Sequence, residues 1–214
     1  MKSYLFLFST LSILLSTLVS SAQTVYQQKG NIHLKNSEGV EIQATSSGLD
    51  FDPSLSPDGK WIVFIRDTPD KILDDYHETE LLLINTDSMN EIILVKGGIS
   101  NDPNNYIVGM KIPQFLSDSQ RVVFYSSCAP VRGNINLVDI RTGVVQYICD
   151  GNSVEAILSG KYRDQLIVLK HGYFLAGGTF NWYWLIALDG KEIGPIGEAD
   201  NLSMFKEMYV NIEK

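Results

Sequence analysis

Two stretches sixty residues apart in this chain are copies of one another. The first is Asp52-Pro53-Ser54-Leu55-Ser56-Pro57-Asp58-Gly59-Lys60-Trp61-Ile62-Val63-Phe64, and the second is Ile112-Pro113-Gln114-Phe115-Leu116-Ser117-Asp118-Ser119-Gln120-Arg121-Val122-Val123-Phe124. Each holds a Pro, a large apolar residue two positions on, a polar turn centred on Asp58 or Asp118, and an apolar strand ending in Phe. Internal repetition constrains the fold before any single element does, because a repeat that cannot bury its own apolar face must stack on its neighbours. A third, degenerate copy runs from Ala156 through Gly160 and Asp164 to Leu169.

Between the copies lie hairpins, each an apolar strand, a polar turn and a second apolar strand. Their turns fall at Gly39, Asn90, Gly143 and Gly190, spaced by 51, 53 and 47 residues. Asp189-Gly190 is the strongest of these signals, since both residues tolerate the positive φ of a tight hairpin turn. Val, Ile, Tyr, Phe and Trp dominate the ordered runs, and no capped stripe of period 3.6 is sustained outside the N-terminus. A repeat of this length with about four short strands is the pattern of a propeller blade. The expectation is an all-β fold: a small β-propeller of about four four-stranded antiparallel blades. Repeat units fall at about 46–98, 108–150 and 154–197. A fourth, composite blade would join 31–45 to 201–213, so that N- and C-terminal strands close the ring and remove exposed sheet edges.

Residues 1–22 have the layout of a secretory signal peptide: Lys2, an apolar and hydroxyl run from Tyr4 to Val19, then small residues at Ser20 and Ala22. Residues 23–214 form one domain, expected to be periplasmic or secreted, with no stable membrane span once the signal is cleaved. Cleavage takes the formal net charge from −8 to −9. So acidic a domain, without Lys/Arg clusters, is a poor partner for nucleic acid. In an oxidising compartment Cys128 and Cys149 read as a disulfide, worth about 3 kcal/mol through the unfolded state; two buried thiols are the alternative.

The motif's residues have turn chemistry to perform. Pro57 fixes φ, Asp58 bonds local backbone and Gly59 accepts a positive φ. At these residues the chain resembles the TolB-type β-propeller repeat, found also in the propellers of prolyl-oligopeptidase-like peptidases, whose hallmark is a Ser-Pro-Asp-Gly-Lys turn followed by an apolar strand ending in Phe. The match is specific at 52–64, moderate at 113–124, where Ser117-Asp118-Ser119-Gln120 replaces the consensus turn, and weak elsewhere. The resemblance implies a periplasmic protein that binds other proteins or ligands and performs no chemistry itself.

No nucleophile elbow, phosphate-binding loop or metal-spaced His pair is present in the sequence, so no catalytic residue, cofactor or metal is assigned. The densest polar cluster is residues 66–80. It reads as a loop inserted between two strands, either solvated or forming a lip for a basic partner or, through Asp70, Asp74, Asp75 and Glu78, for a divalent cation. By topology this loop shares a propeller face with 127–133 and 171–180. That face gathers Asp74, Asp75, Tyr76, His77, Arg132, His171, Tyr173 and Phe174, residue types that include those enriched at protein-binding hot spots. Tyr173, Phe174 and Phe180 could alternatively cover the ends of the core. Three function classes follow: a noncatalytic protein- or ligand-binding module of the cell envelope, a propeller lyase or glycosidase with carboxylates in its central channel, and a structural subunit of an envelope complex.

Overall fold

A computed structural model describes residues 22–73, 76–100, 102–129 and 132–210; the expected signal segment lies outside them but for Ala22. The chain folds as four consecutive antiparallel meanders. The first sheet is β1 (Thr24–Gln28), β2 (Asn31–Lys35) and β3 (Glu41–Gln43). The second is β4 (Asp50–Leu55), β5 (Trp61–Leu73), β6 (Tyr76–Asn85) and β7 (Glu91–Lys96). The third is β8 (Val108–Phe115), β9 (Arg121–Ala129), β10 (Arg132–Asp139) and β11 (Val145–Asp150). The fourth is β12 (Ser153–Ala156), β13 (Leu166–Tyr173), β14 (Thr179–Ile186) and β15 (Glu192–Gly197), followed by one helix, α1 (Ala199–Tyr209).

The sheets pack face to face in chain order, as propeller blades do, and the strand sequences say why. Successive side chains of a strand point to opposite faces, so a strand with sheets on both sides must be apolar at every position. In β5, Ile62 and Phe64 pack with Ile32 and Leu34 of the first sheet, while Val63 and Ile65 face Val122, Phe124 and Val138 of the third. All four of these β5 residues are fully buried, at about 1.5–3 kcal/mol each. Val123 and Ile135 of the third sheet then meet Val154, Leu166 and Val168 of the fourth.

The two ends depart from expectation. Residues 201–209 are helical, and among the described residues no C-terminal strand pairs with 31–45. The spacing of Leu202, Phe205 and Tyr209 is that of one helix face, and the Asn201 Oδ1 accepts the Glu198 N–H at 3.1 Å to start the first turn. Leu202, Phe205 and Val210 pack over Ile157, Ile167 and Leu185 on the outer face of the fourth sheet. A further blade would occupy that same face in a longer propeller, so α1 acts as an apolar cap there. The first sheet takes its additional strand locally, from β1, and remains three-stranded. Its outward-facing residues are polar: Tyr26 stacks on His33 with centroids 5.2 Å apart.

The expected disulfide is also corrected. Cys149 is a free, buried thiol in β11. Its backbone pairs with Ile135 of β10, whose other neighbour is Tyr125 of β9. Cys128 lies on β9, so a whole strand separates the two positions. Two strand spacings of about 4.8 Å already exceed the reach of a disulfide.

Candidate functional site

The repeated motif turns each innermost strand outward and also stitches neighbouring sheets together. Asp52 and Ile112, the residues before the two motif prolines, both have positive φ, 50° and 46°. Each sits in a β-bulge between the first and second strands of its sheet. The Asp52 Oδ2 accepts the Ile112 N–H at 2.9 Å, tying one bulge to the next. At the turns, Ser119 Oγ accepts the Asp58 N–H at 3.1 Å. The Asp164 carboxylate accepts both the N–H and the Oγ–H of Ser117, at 2.9 and 2.8 Å. The Gln114 amide then bridges β8 to β12, donating to Val154 O and accepting from the Ala156 N–H, both at 3.0 Å.

Asp58 and Asp118 each close their own turn as well. Burial pushes both carboxyls up, but hydrogen bonds outweigh it: Ser56 and Lys60 on Asp58, Gln120 and Arg121 on Asp118, hold both below the usual carboxylate range. At the start of β4, the fully buried Asp50 carboxylate receives Arg66 Nε at 2.6 Å and Nη2 at 3.1 Å. Arg66 also reaches Glu91 at 2.6 and 2.9 Å, and these partners raise the guanidinium above its ordinary pKa. The carboxylates of Asp50, Asp52, Asp58, Asp118 and Asp164 are therefore engaged in structural bonds. Among the described residues no group of three or more His, Cys, Asp and Glu is arranged to hold a metal ion.

The face proposed for partners is built by the connections between second and third strands: β5–β6, β9–β10 and β13–β14. The first is a continuation of the sheet rather than a loop. β5 runs to Leu73 and β6 starts at Tyr76, with a bulge between Thr68 and Ile72. Glu78 is buried within it, its backbone carbonyl accepting Thr68 Oγ1 at 2.6 Å, which removes it from an exposed acidic lip. Asp74 and Asp75 lie outside the described residues. Tyr76 and His77 open β6 and Arg132 opens β10; their side chains, like those of Asp70 and Cys128, lie outside the described set.

The third connection is the one whose chemistry is visible. Cross-strand pairs run Tyr173 with Thr179, Gly172 with Phe180, His171 with Asn181 and Lys170 with Trp182. On one face of this hairpin Phe180 lies between Phe174 and Trp182, with centroids 4.8 Å from each. A side chain at Gly172 would collide with the Phe180 ring, so the glycine is the seat on which that ring lies. On the other face His171 Nδ1 bonds Asn181 Oδ1 at 2.9 Å, and the ring meets Tyr173 edge-on at 5.1 Å. Tyr173 is 74% exposed, Phe174 47%, and Leu175 at the tip is fully exposed. His171, Tyr173 and Phe174 thus come together in one exposed tip and do not cover the core. Sequence reasoning passed over Leu175 and Trp182, although the charge-free run 172–188 marks both.

Beside the tip, Trp182 walls a shallow cleft of about 310 Å³ with Pro195, Ile196, Gly197, Glu198 and Asn201.

No family model matches the chain, and no curated protein matches it in sequence. Solved structures do match in fold. TolB from Acinetobacter baumannii superposes with a TM-score of 0.52 at 15% identity, over 82% of this chain and 40% of that one. The β-propeller domain of the trilobed protease from Pyrococcus furiosus, described as having an open velcro topology, gives 0.53 at 16% identity, over 77% and 48%. A TolB-type protein from Agrobacterium tumefaciens gives 0.50 at 20%, over 78% and 57%. The chain thus spans roughly half the length of these structures or less. Its four meanders, face-to-face stacking and Pro-bearing inner strands give it the TolB-type β-propeller fold.

Proposed function

We propose that the protein is a noncatalytic, exported binding module that engages its partner through the face carrying the second-to-third-strand hairpins. The observation that carries this reading is the exposed tip of β13–β14, where Tyr173 is mostly exposed, Phe174 about half exposed and Leu175 fully exposed. Contiguous apolar exposure of this kind marks interaction surfaces. Asp74, Asp75, Tyr76, His77 and Arg132 belong to the corresponding hairpins and extend the same contact face. The resemblance of the motif to TolB-type repeats adds the expectation of a cell-envelope location.

The noncatalytic reading is favoured over a lyase or glycosidase because the motif carboxylates Asp52 and Asp164 already accept backbone amides. An acid–base pair needs carboxylates free to meet substrate. Affinity capture from the native envelope tests the proposal. The intact protein and a Phe174→Ser/Leu175→Ser variant should retain different partners; identical partner sets would contradict a contact through the tip.

A further inference from the structure

We propose that the tip of the β13–β14 hairpin seats in the interfacial layer of a zwitterionic lipid bilayer. This rests on the reading of the tip as a binding surface and names what it binds. Four observations on the hairpin point to lipid.

The first is its layering. Phe174 and Leu175 form an apolar end, Tyr173 and Phe180 a ring-bearing belt behind it, and Trp182, paired across the strands with Lys170 of the Lys170–Glu192 ion pair at 2.6 Å, stands at the charged base, the headgroup level. Tyr and Trp prefer the boundary between water and hydrocarbon because one part of each is apolar and one is polar. The polar His171–Asn181 pair lies between tip and base. With about 3.3 Å of rise per strand residue, the segment beyond it projects roughly 7–10 Å, the depth to which interfacial elements enter.

The second is shape. The tip is convex, and Leu175 has nothing beside it. Its rings are tilted at 48° (Phe174 on Phe180) and 42° (Phe180 on Trp182), so they do not make the flat platform on which a sugar or a base stacks. A fluid apolar medium needs no complementary cavity.

The third is the absence of charge from 172 to 188, a run of 17 residues in a chain that is one-fifth charged. The fourth decides the headgroup. The chain carries a net charge of −8, and the hairpin tip has no Lys or Arg to offset repulsion from anionic lipid.

The test uses the full-length protein with phosphatidylcholine vesicles whose acyl chains carry bromine, reading quenching of tryptophan emission. The expected result is quenching in the unaltered protein, most of it removed by Trp182→Phe, and vesicle partitioning lowered about tenfold or more by Leu175→Asp. Position 175 is fully solvated, so this variant should fold, and unchanged circular dichroism and thermal midpoint would establish that. Residues 1–22 are common to all variants and cannot produce the difference. No quenching in the unaltered protein, or equal quenching in Leu175→Asp, would overturn the proposal. If vesicles are ignored while the Phe174→Ser/Leu175→Ser variant still loses an envelope protein, the lipid assignment fails and the binding-surface reading stands. Stronger partitioning onto phosphatidylglycerol vesicles than onto phosphatidylcholine would overturn the choice of headgroup.

Discussion

The carboxylate of Asp52 accepts the backbone N–H of Ile112 at 2.9 Å, joining residues sixty positions apart that occupy the same place in successive repeats. Both precede a proline and both hold a positive φ. That conformation is strained for a β-branched residue such as Ile112, at a cost of about 1–3 kcal/mol. The bond from the neighbouring sheet holds it in place. Asp52→Ala should lower stability by about 1–2 kcal/mol, and Asp52→Asn, which keeps an acceptor, by less. Urea midpoints measure both; an alanine variant as stable as the parent would show that the bulges hold without the bond.

Arg66 is the counter-charge of the fully buried Asp50. Removing it leaves a buried anion with no partner, which costs about 3–5 kcal/mol. Arg66→Met should therefore destabilise far more than truncation of an exposed arginine such as Arg141. The double variant Asp50→Ala/Arg66→Met should recover part of the loss. Chemical denaturation of the parent, Arg66→Met, Asp50→Ala and the double variant forms the cycle, and a cost of Arg66→Met below about 1 kcal/mol would contradict the burial argument.

Phe205 holds the helical cap on the fourth sheet, stacking on Tyr162 with centroids 5.6 Å apart. Phe205→Ala should cost about 2–4 kcal/mol and uncover Ile167 and Leu185, raising the fluorescence of an apolar dye in the native baseline. A cap that contributes nothing would leave both readings unchanged.

How much of this was legible in the sequence follows from where the information sits. Turn residues and two-faced apolar strands are local and period-2 signals, so Ser56 to Phe64 and its copy at 117–124 announced strands, turns and repetition directly. The helix escaped because Met204, Phe205, Met208 and Tyr209 suit a strand as well as a helix. Whether Cys128 meets Cys149 depends on the interposed β10, which spacing along the chain does not encode. The motif's inter-sheet bonds were invisible for the same reason: the acceptor roles of Asp52 and Asp164 exist only across a blade boundary. The tip of β13–β14 was half legible. Its aromatics were plain, but whether they covered the core or faced water depended on the length of the hairpin.

Burial pushes the Cys149 thiol up from 9.0 to about 12. The unfolded chain therefore loses this proton at lower pH than the folded one. The associated stability is fully present below about pH 9 and declines as pH rises from 9 towards 12. A Cys149→Ala variant should show a shallower alkaline decline in thermal midpoint. The native thiol should stay unreactive to an aromatic disulfide reagent until the protein is unfolded; rapid labelling of Cys149 in the native state would contradict its burial.

The surface proposed to bind the partner is the β13–β14 tip. A photoreactive phenylalanine analogue placed at Leu175 tests it directly, with Val144, an exposed residue in the β10–β11 turn at the opposite end of the sheets, as the control. Irradiation in the native envelope should give adducts, to lipid or to protein, from position 175 and far fewer from position 144. Equal yields from the two positions, or none from 175, would contradict it.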